Sequence, residues 1–197
     1  MTRSLSIVVL SLVLSVPAMA YTVVNTSAPQ INCVFTPTCS IPILNHVYTL
    51  SNGGKISTRI FQGQSGAPAY GKWVYIYRVD MTNAVGVLNI PYVSGMSIGA
   101  WGPVLSFDYN FDSVATDQVF VVTAGGSGTI GLSSAGWFWG VTYFTFSSPI
   151  YGGSQPGQGQ SSYFFGLTSD HPPVIRNATV QTANGTVTVT VYAPLLP

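Results

Sequence analysis

Thr186-Val187-Thr188-Val189-Thr190-Val191 alternates polar and apolar residues without a fault. A period of two sends successive side chains to opposite faces of a strand, so the threonines face water and the valines a core. Apolar segments rich in Val, Ile, Thr, Tyr, Phe and Trp recur along the chain, separated by Gly, Pro, Ser and Asn clusters. They predict strands over Tyr21–Val24, Val47–Leu50, Lys55–Phe61, Lys72–Val79, Val85–Ile90 and Val104–Phe107. Further strands are expected over Gln118–Ala124, Thr129–Leu132, Trp137–Phe146, Ser162–Leu167, Val174–Gln181 and Thr186–Tyr192. Asn184-Gly185 between the last two is the sequence of a type I′ hairpin turn, which needs positive φ at both central residues. Ser51-Asn52-Gly53-Gly54 suits a similar turn. No helical period lasts beyond a turn or two outside the N-terminal leader. The expectation is an all-β fold: an antiparallel β-sandwich (jelly-roll or immunoglobulin-like) or a barrel of roughly ten strands.

Residues 1–20 have the form of a signal peptide. Arg3 supplies the positive start, Ile7 to Val16 the apolar run, and Ala18-Met19-Ala20 a small-x-small cleavage site. The run is shorter than the roughly 20 residues a spanning helix needs, which disfavours an uncleaved anchor. Cleavage there leaves residues 21–197 as a single secreted domain, extracellular or periplasmic, with no membrane span. In that oxidising setting Cys33 and Cys39, the only cysteines, are expected to form a disulfide. A metal site lacks partners, since His46 and His171 lie far apart in sequence, and a redox pair would have two intervening residues, not five.

Charge narrows the partners. Six Lys and Arg stand against five Asp, with no Glu, so 6% of the chain is charged. Removing Arg3 with the leader brings the net charge from +1 to zero. This leaves no basic footprint for nucleic acid and no polybasic stretch for anionic lipid. Disorder is excluded by 47% hydrophobic residues. A neutral surface of hydroxyls and amides has little repulsion to keep copies apart, so it suits adhesion, self-association or the binding of neutral glycans. Sequons stand at Asn25, Asn177 and Asn184.

Three of the five acids fall within Asp108-Tyr109-Asn110-Phe111-Asp112-Ser113-Val114-Ala115-Thr116-Asp117. Asp108, Asn110 and Asp112 have the spacing that opens an oxygen-ligand calcium loop, with Asp117 close to where a later ligand would come. Ser113 at the usual glycine position and Val119 at the twelfth exclude a true EF-hand. The competing readings are an Asx-rich turn capping its own backbone, or an alternating strand through Phe107, Tyr109 and Phe111. Gly152 to Gln160 is glycine-rich and reads as an exposed loop. No Lys follows and no helix begins there, so it is not a phosphate cradle.

Strand spacing puts Trp137, Trp139, Val141 and Tyr143 on one face, an aromatic row able to stack on sugar rings. The alternative is a strand buried on both faces. Trp73, Tyr75 and Tyr77 make a second row. Enzyme signals are weak. Gly63-Gln64-Ser65-Gly66 misses the nucleophile-elbow spacing. His46 and His171 are the only imidazole bases, and five Asp are the whole carboxylate supply.

The segments Asp117-Gln118-Val119-Phe120-Val121-Val122-Thr123, Gly125-Gly126, Pro156-Gly157-Gln158-Gly159, Ser161 to Leu167 and Pro172-Pro173 resemble those of a group of secreted bacterial proteins of unassigned function. The likeness spans roughly Tyr75 to Pro194. It implies export and a β-rich fold, and no chemistry. In that group an Asp-Tyr-Asn-Gly-Asp-Gly-type loop precedes the Asp-Gln-Val-Phe-Val-Val segment; here Phe111 and Ser113 stand at its glycine positions. The expected function is a non-enzymatic extracellular binding or structural protein, with calcium as candidate cofactor at Asp108, Asn110, Asp112 and Asp117. The alternative is a carbohydrate-binding module using Trp137, Trp139 and Tyr143, and a hydrolase using an Asp pair or His171 stands third. Its partner would be a glycan, another cell-surface ligand, or a second copy.

Overall fold

The computed structural model describes residues 18–40, 44–86, 88–99, 102 and 104–195; the leader expected over 1–20 lies outside them except for its last three residues. In chain order the elements are β1 (Met19–Ala20), β2 (Val23–Ser27), α1 (Ala28–Phe35), β3 (Leu44–Thr49), β4 (Lys55–Gln62), β5 (Trp73–Asp80) and β6 (Tyr92–Gly99). There follow β7 (Val119–Ala124), β8 (Leu132–Phe138), β9 (Val141–Tyr151), β10 (Phe164–Ser169), β11 (Pro173–Thr182) and β12 (Gly185–Pro194). They form a sandwich of two six-stranded sheets. The first runs β1-β8-β9-β6-β11-β12 and the second β2-β7-β10-β5-β4-β3. Every named strand pair is antiparallel except β2 with β7. No helix among the described residues is long and apolar enough to cross a membrane.

The inward faces follow from alternation. Ile56 and Ile60 on β4, Tyr75, Tyr77 and Val79 on β5, and Phe165 and Leu167 on β10 meet Val93, Met96 and Ile98 on β6 and Phe144 and Phe146 on β9. Val189 and Val191 join them from β12, as its faultless alternation requires. The two buried tyrosines bring hydroxyls into this core, and each donates to a carbonyl: Tyr75 to His171 and Tyr77 to Tyr192, both at 2.7 Å. Edge strands β3 and β12 close one side, where His46 Nε2 lies 3.2 Å from Thr190 Oγ1 and its ring meets Tyr192 edge-on.

A second, smaller core lies on the outer face of the β7-β10-β5-β4 sheet. There α1 and the chain around Tyr109 bury Phe35, Phe61, Tyr109 and Phe120. The helix was not expected from the sequence. It is short, but its start is specified: Ser27 caps it, Ser27 and Gln30 form a capping box, and proline stands in the first turn.

Other expectations shift. Val85–Ile90 is not a strand: Val85 makes one isolated bridge and Leu88 is exposed. The strand instead follows Pro91 as β6, where a register shift between Val93 and Gly95 interrupts the alternation that would have revealed it. Val104–Phe107 makes only isolated bridges, at Leu105 and Phe107. Trp137–Phe146 is two strands, β8 and β9, and Thr129–Leu132 contributes a bridge at Ile130 before β8 begins. The last hairpin turns one residue earlier than expected, at Ala183-Asn184, and only Gly185 has positive φ (102°), so it is not a type I′ turn. The glycine-rich stretch is exposed over 154–158 and at Gln160, as expected of a loop, but Gly152 and Gly153 are buried. It is tied down by backbone bonds: the Gly152 and Gly153 amides donate to the Pro91 and Ala84 carbonyls, and those of Gly157 and Gly159 both donate to the Thr82 carbonyl.

Candidate functional site

The acidic segment is a loop that hydrogen-bonds itself. The Asp108 carboxylate accepts from the amides of Asp112 (3.0 Å) and Ser113 (2.8 Å). Asn110 Oδ1 accepts from the Asp112 amide, and Asp112 Oδ1 from that of Val114. Phe111 and Ser113 adopt positive φ (60° and 71°), so the two non-glycine residues take the left-handed backbone that glycine would supply. Asp117 is buried and accepts from the Tyr109 amide at 2.9 Å. Burial raises its pKa; bonds from the Tyr109 and Asn110 amides oppose this, and the Asp112 and Asp108 charges add to it. The loop thereby sets Tyr109 into the second core, its hydroxyl donating to Thr168 Oγ1 at 2.8 Å. Among the described residues no group of three or more His, Cys, Asp or Glu is arranged to hold a metal ion.

The aromatic row is rearranged by the hairpin. Trp139 and Gly140 form the β8–β9 turn, and both have positive φ (50° and 75°), as a type I′ turn requires. Phe138 pairs with Val141, Trp137 with Thr142 and Gly136 with Tyr143. Paired residues share a face, so Phe138, Val141 and Tyr143 point outward together. Trp137, half-buried, shares the inward face with the buried Thr142, which corrects its placement beside Tyr143. Phe138, Trp139, Val141 and Tyr143 line a shallow apolar surface with Ala18, itself a residue of the expected leader. Trp139 is 70% exposed, with Phe138 edge-on at 6.2 Å. In the second expected row Tyr75 and Tyr77 are core residues, and Trp73 packs partly buried against them.

Cys33 and Cys39 are bonded, stapling the end of α1 to the chain that follows it. Lys72 pairs with Asp170, the sequence neighbour of His171. This pair stands where the start of β5 meets the end of β10, and the His171 carbonyl accepts from the Tyr75 hydroxyl.

Sequence reasoning missed a groove of about 390 Å³ beside α1, on the outer face of the second sheet. Arg59, Phe61, Phe164, Asn32 and Ser127 are among its walls. The Arg59 guanidinium lies 4.2 Å from the centre of the Phe164 ring, and that of Arg78 lies 5.3 Å from it. Arg78 donates to Ser161 Oγ at 2.9 Å and stands 3.6 Å from the Asp80 carboxylate. Arg59 has no carboxylate partner among the described residues. Burial, and then the neighbouring Arg78 charge, push the Arg59 guanidinium below its usual pKa. The outward register of Arg59 on β4 was readable from alternation; its approach to Phe164, far along the chain, was not. No protein-family model matches the chain, and no curated protein or solved structure matches it either.

Proposed function

We propose that the protein is a non-enzymatic binding protein of the extracellular or periplasmic space that makes contact through its β8–β9 hairpin tip. The observation carrying this reading is Trp139, a large aromatic that is 70% exposed at a turn position with φ 50°. A left-handed backbone costs a non-glycine residue about 1–2 kcal/mol, and Asn or Gly would relieve it. Strain held in solvent at an aromatic side chain gives the fold nothing; it presents a flat ring beside Phe138 and Tyr143, suited to the apolar face of a sugar.

Intrinsic fluorescence titration with neutral oligosaccharides, cellohexaose first, tests this. Saturable change in the Trp emission is expected, and its loss in Trp139→Ala. Equal titration of that variant, or no response across the panel, overturns the glycan reading. Light scattering that rises with concentration and falls in Trp139→Ala would assign the tip to contact between copies instead. The calcium expectation at Asp108, Asn110, Asp112 and Asp117 rests on the loop sequence alone. Thermal unfolding in excess calcium and in chelator tests it, an upward shift that vanishes in Asp112→Ala being the supporting result.

A further inference from the structure

We propose that the groove beside α1 is a second binding site, for the oxyanion group of an acidic saccharide, held by Arg59 with Arg78 behind it. The site lies on the opposite sheet from the hairpin tip and does not depend on it.

The described chain has five basic side chains, and two of them, Arg59 and Arg78, stand over the same Phe164 ring. Two cations held together repel, and each has been partly withdrawn from water. Asp80 answers Arg78 alone, so one positive charge in the groove is uncompensated. The described acids are accounted for elsewhere: Asp170 with Lys72, and Asp108, Asp112 and Asp117 in their own loop. A guanidinium resting over an aromatic ring loses less freedom on binding than a free side chain, and it offers paired N–H donors that match a carboxylate or sulfate.

The remaining walls decide what carries the anion. Phe61 is almost wholly buried and supplies an apolar floor. Asn32 and Ser127 supply an amide and a hydroxyl, which can meet sugar hydroxyls. The walls include no acidic side chain, so nothing in the groove would repel a uronate or a sulfated sugar.

Calorimetric titration of the intact protein with tri-galacturonate, with a neutral galactose trisaccharide and with sodium sulfate tests the proposal. The acidic trisaccharide is expected to bind at least roughly tenfold more tightly than the neutral one, the usual value of a charge-assisted contact. Sulfate is expected to compete weakly, since it offers the charge without the sugar. Arg59→Met should abolish the preference, and Arg59→Lys should restore part of it. In Trp139→Ala the Arg59-dependent binding of tri-galacturonate should persist while any binding of neutral sugar at the tip falls, which separates this site from the hairpin tip. Arg59→Gln, which keeps donors and most of the stem, replaces Arg59→Met if the latter does not fold. Equal affinity for acidic and neutral sugars, or unchanged binding in the Arg59 variants, overturns the proposal. Sulfate binding as tightly as tri-galacturonate overturns the saccharide assignment.

Discussion

At Ser113 the chain pays locally for a turn that glycine would make freely. Its φ of 71°, with that of Phe111 at 60°, keeps the Asp108 and Asp112 acceptors facing their amides. Ser113 is exposed, so Ser113→Gly removes backbone strain while breaking no packing. The variant is expected to gain about 0.5–1 kcal/mol, after subtracting the extra freedom of glycine in the unfolded chain, read as a higher denaturant midpoint. Asp117 gives a pH prediction. Its pKa is raised in the folded state by burial, so the native protein takes up a proton there before the unfolded chain does. Stability from this group therefore rises as pH falls from neutral through the raised pKa toward the ordinary value near about 4. Asp117→Asn keeps an acceptor for the Tyr109 amide and removes the titration. The difference in unfolding free energy between the two proteins should shift in favour of wild type as pH is lowered; a pH-independent difference refutes it.

Elements show which signals a sequence carries and which only the fold supplies. The β11–β12 hairpin was legible because Val189 and Val191 face one core without interruption. β6 was not, because its register shifts beside Gly95 and its apolar residues lose their period. The helix was written in Ser27-Ala28-Pro29-Gln30 but is too short for periodicity to show. Ser27→Ala is expected to cost about 1 kcal/mol, with the loss seen first as weaker amide protection in α1. The hairpin tip was half legible: Trp139, Val141 and Tyr143 were found, but the turn at Trp139-Gly140 reversed the chain and put Trp137 on the other face. Trp139→Asn should raise the unfolding midpoint, because asparagine tolerates the left-handed turn, while removing the ring on which the binding proposal depends. Stability lost with binding, instead of gained, would show that the ring serves the fold. The groove was illegible for a different reason: β4, β5 and β10 must pair before Arg59 and Arg78 can meet Phe164.

The molecule as a whole is two sheets around one core, with a second core beneath α1 on the outer face of one sheet. The one parallel pair among its described strands, β2 with β7, joins residues 23–27 to residues 119–124. That pairing sets an order of events. The β3–β4–β5 and β11–β12 hairpins close over short loops, whereas β2 must wait for a strand far along the chain, and distant pairings are slow because loop closure precedes their reward. Pulse-labelling hydrogen exchange during refolding should find the amides of β11 and β12 protected first and those of β2 and α1 last. A chain emerging from its N-terminus would then hold β2 unpartnered until β7 arrived, leaving Phe61 uncovered by the helix for that interval. A strand made early would then be among the last to find its place.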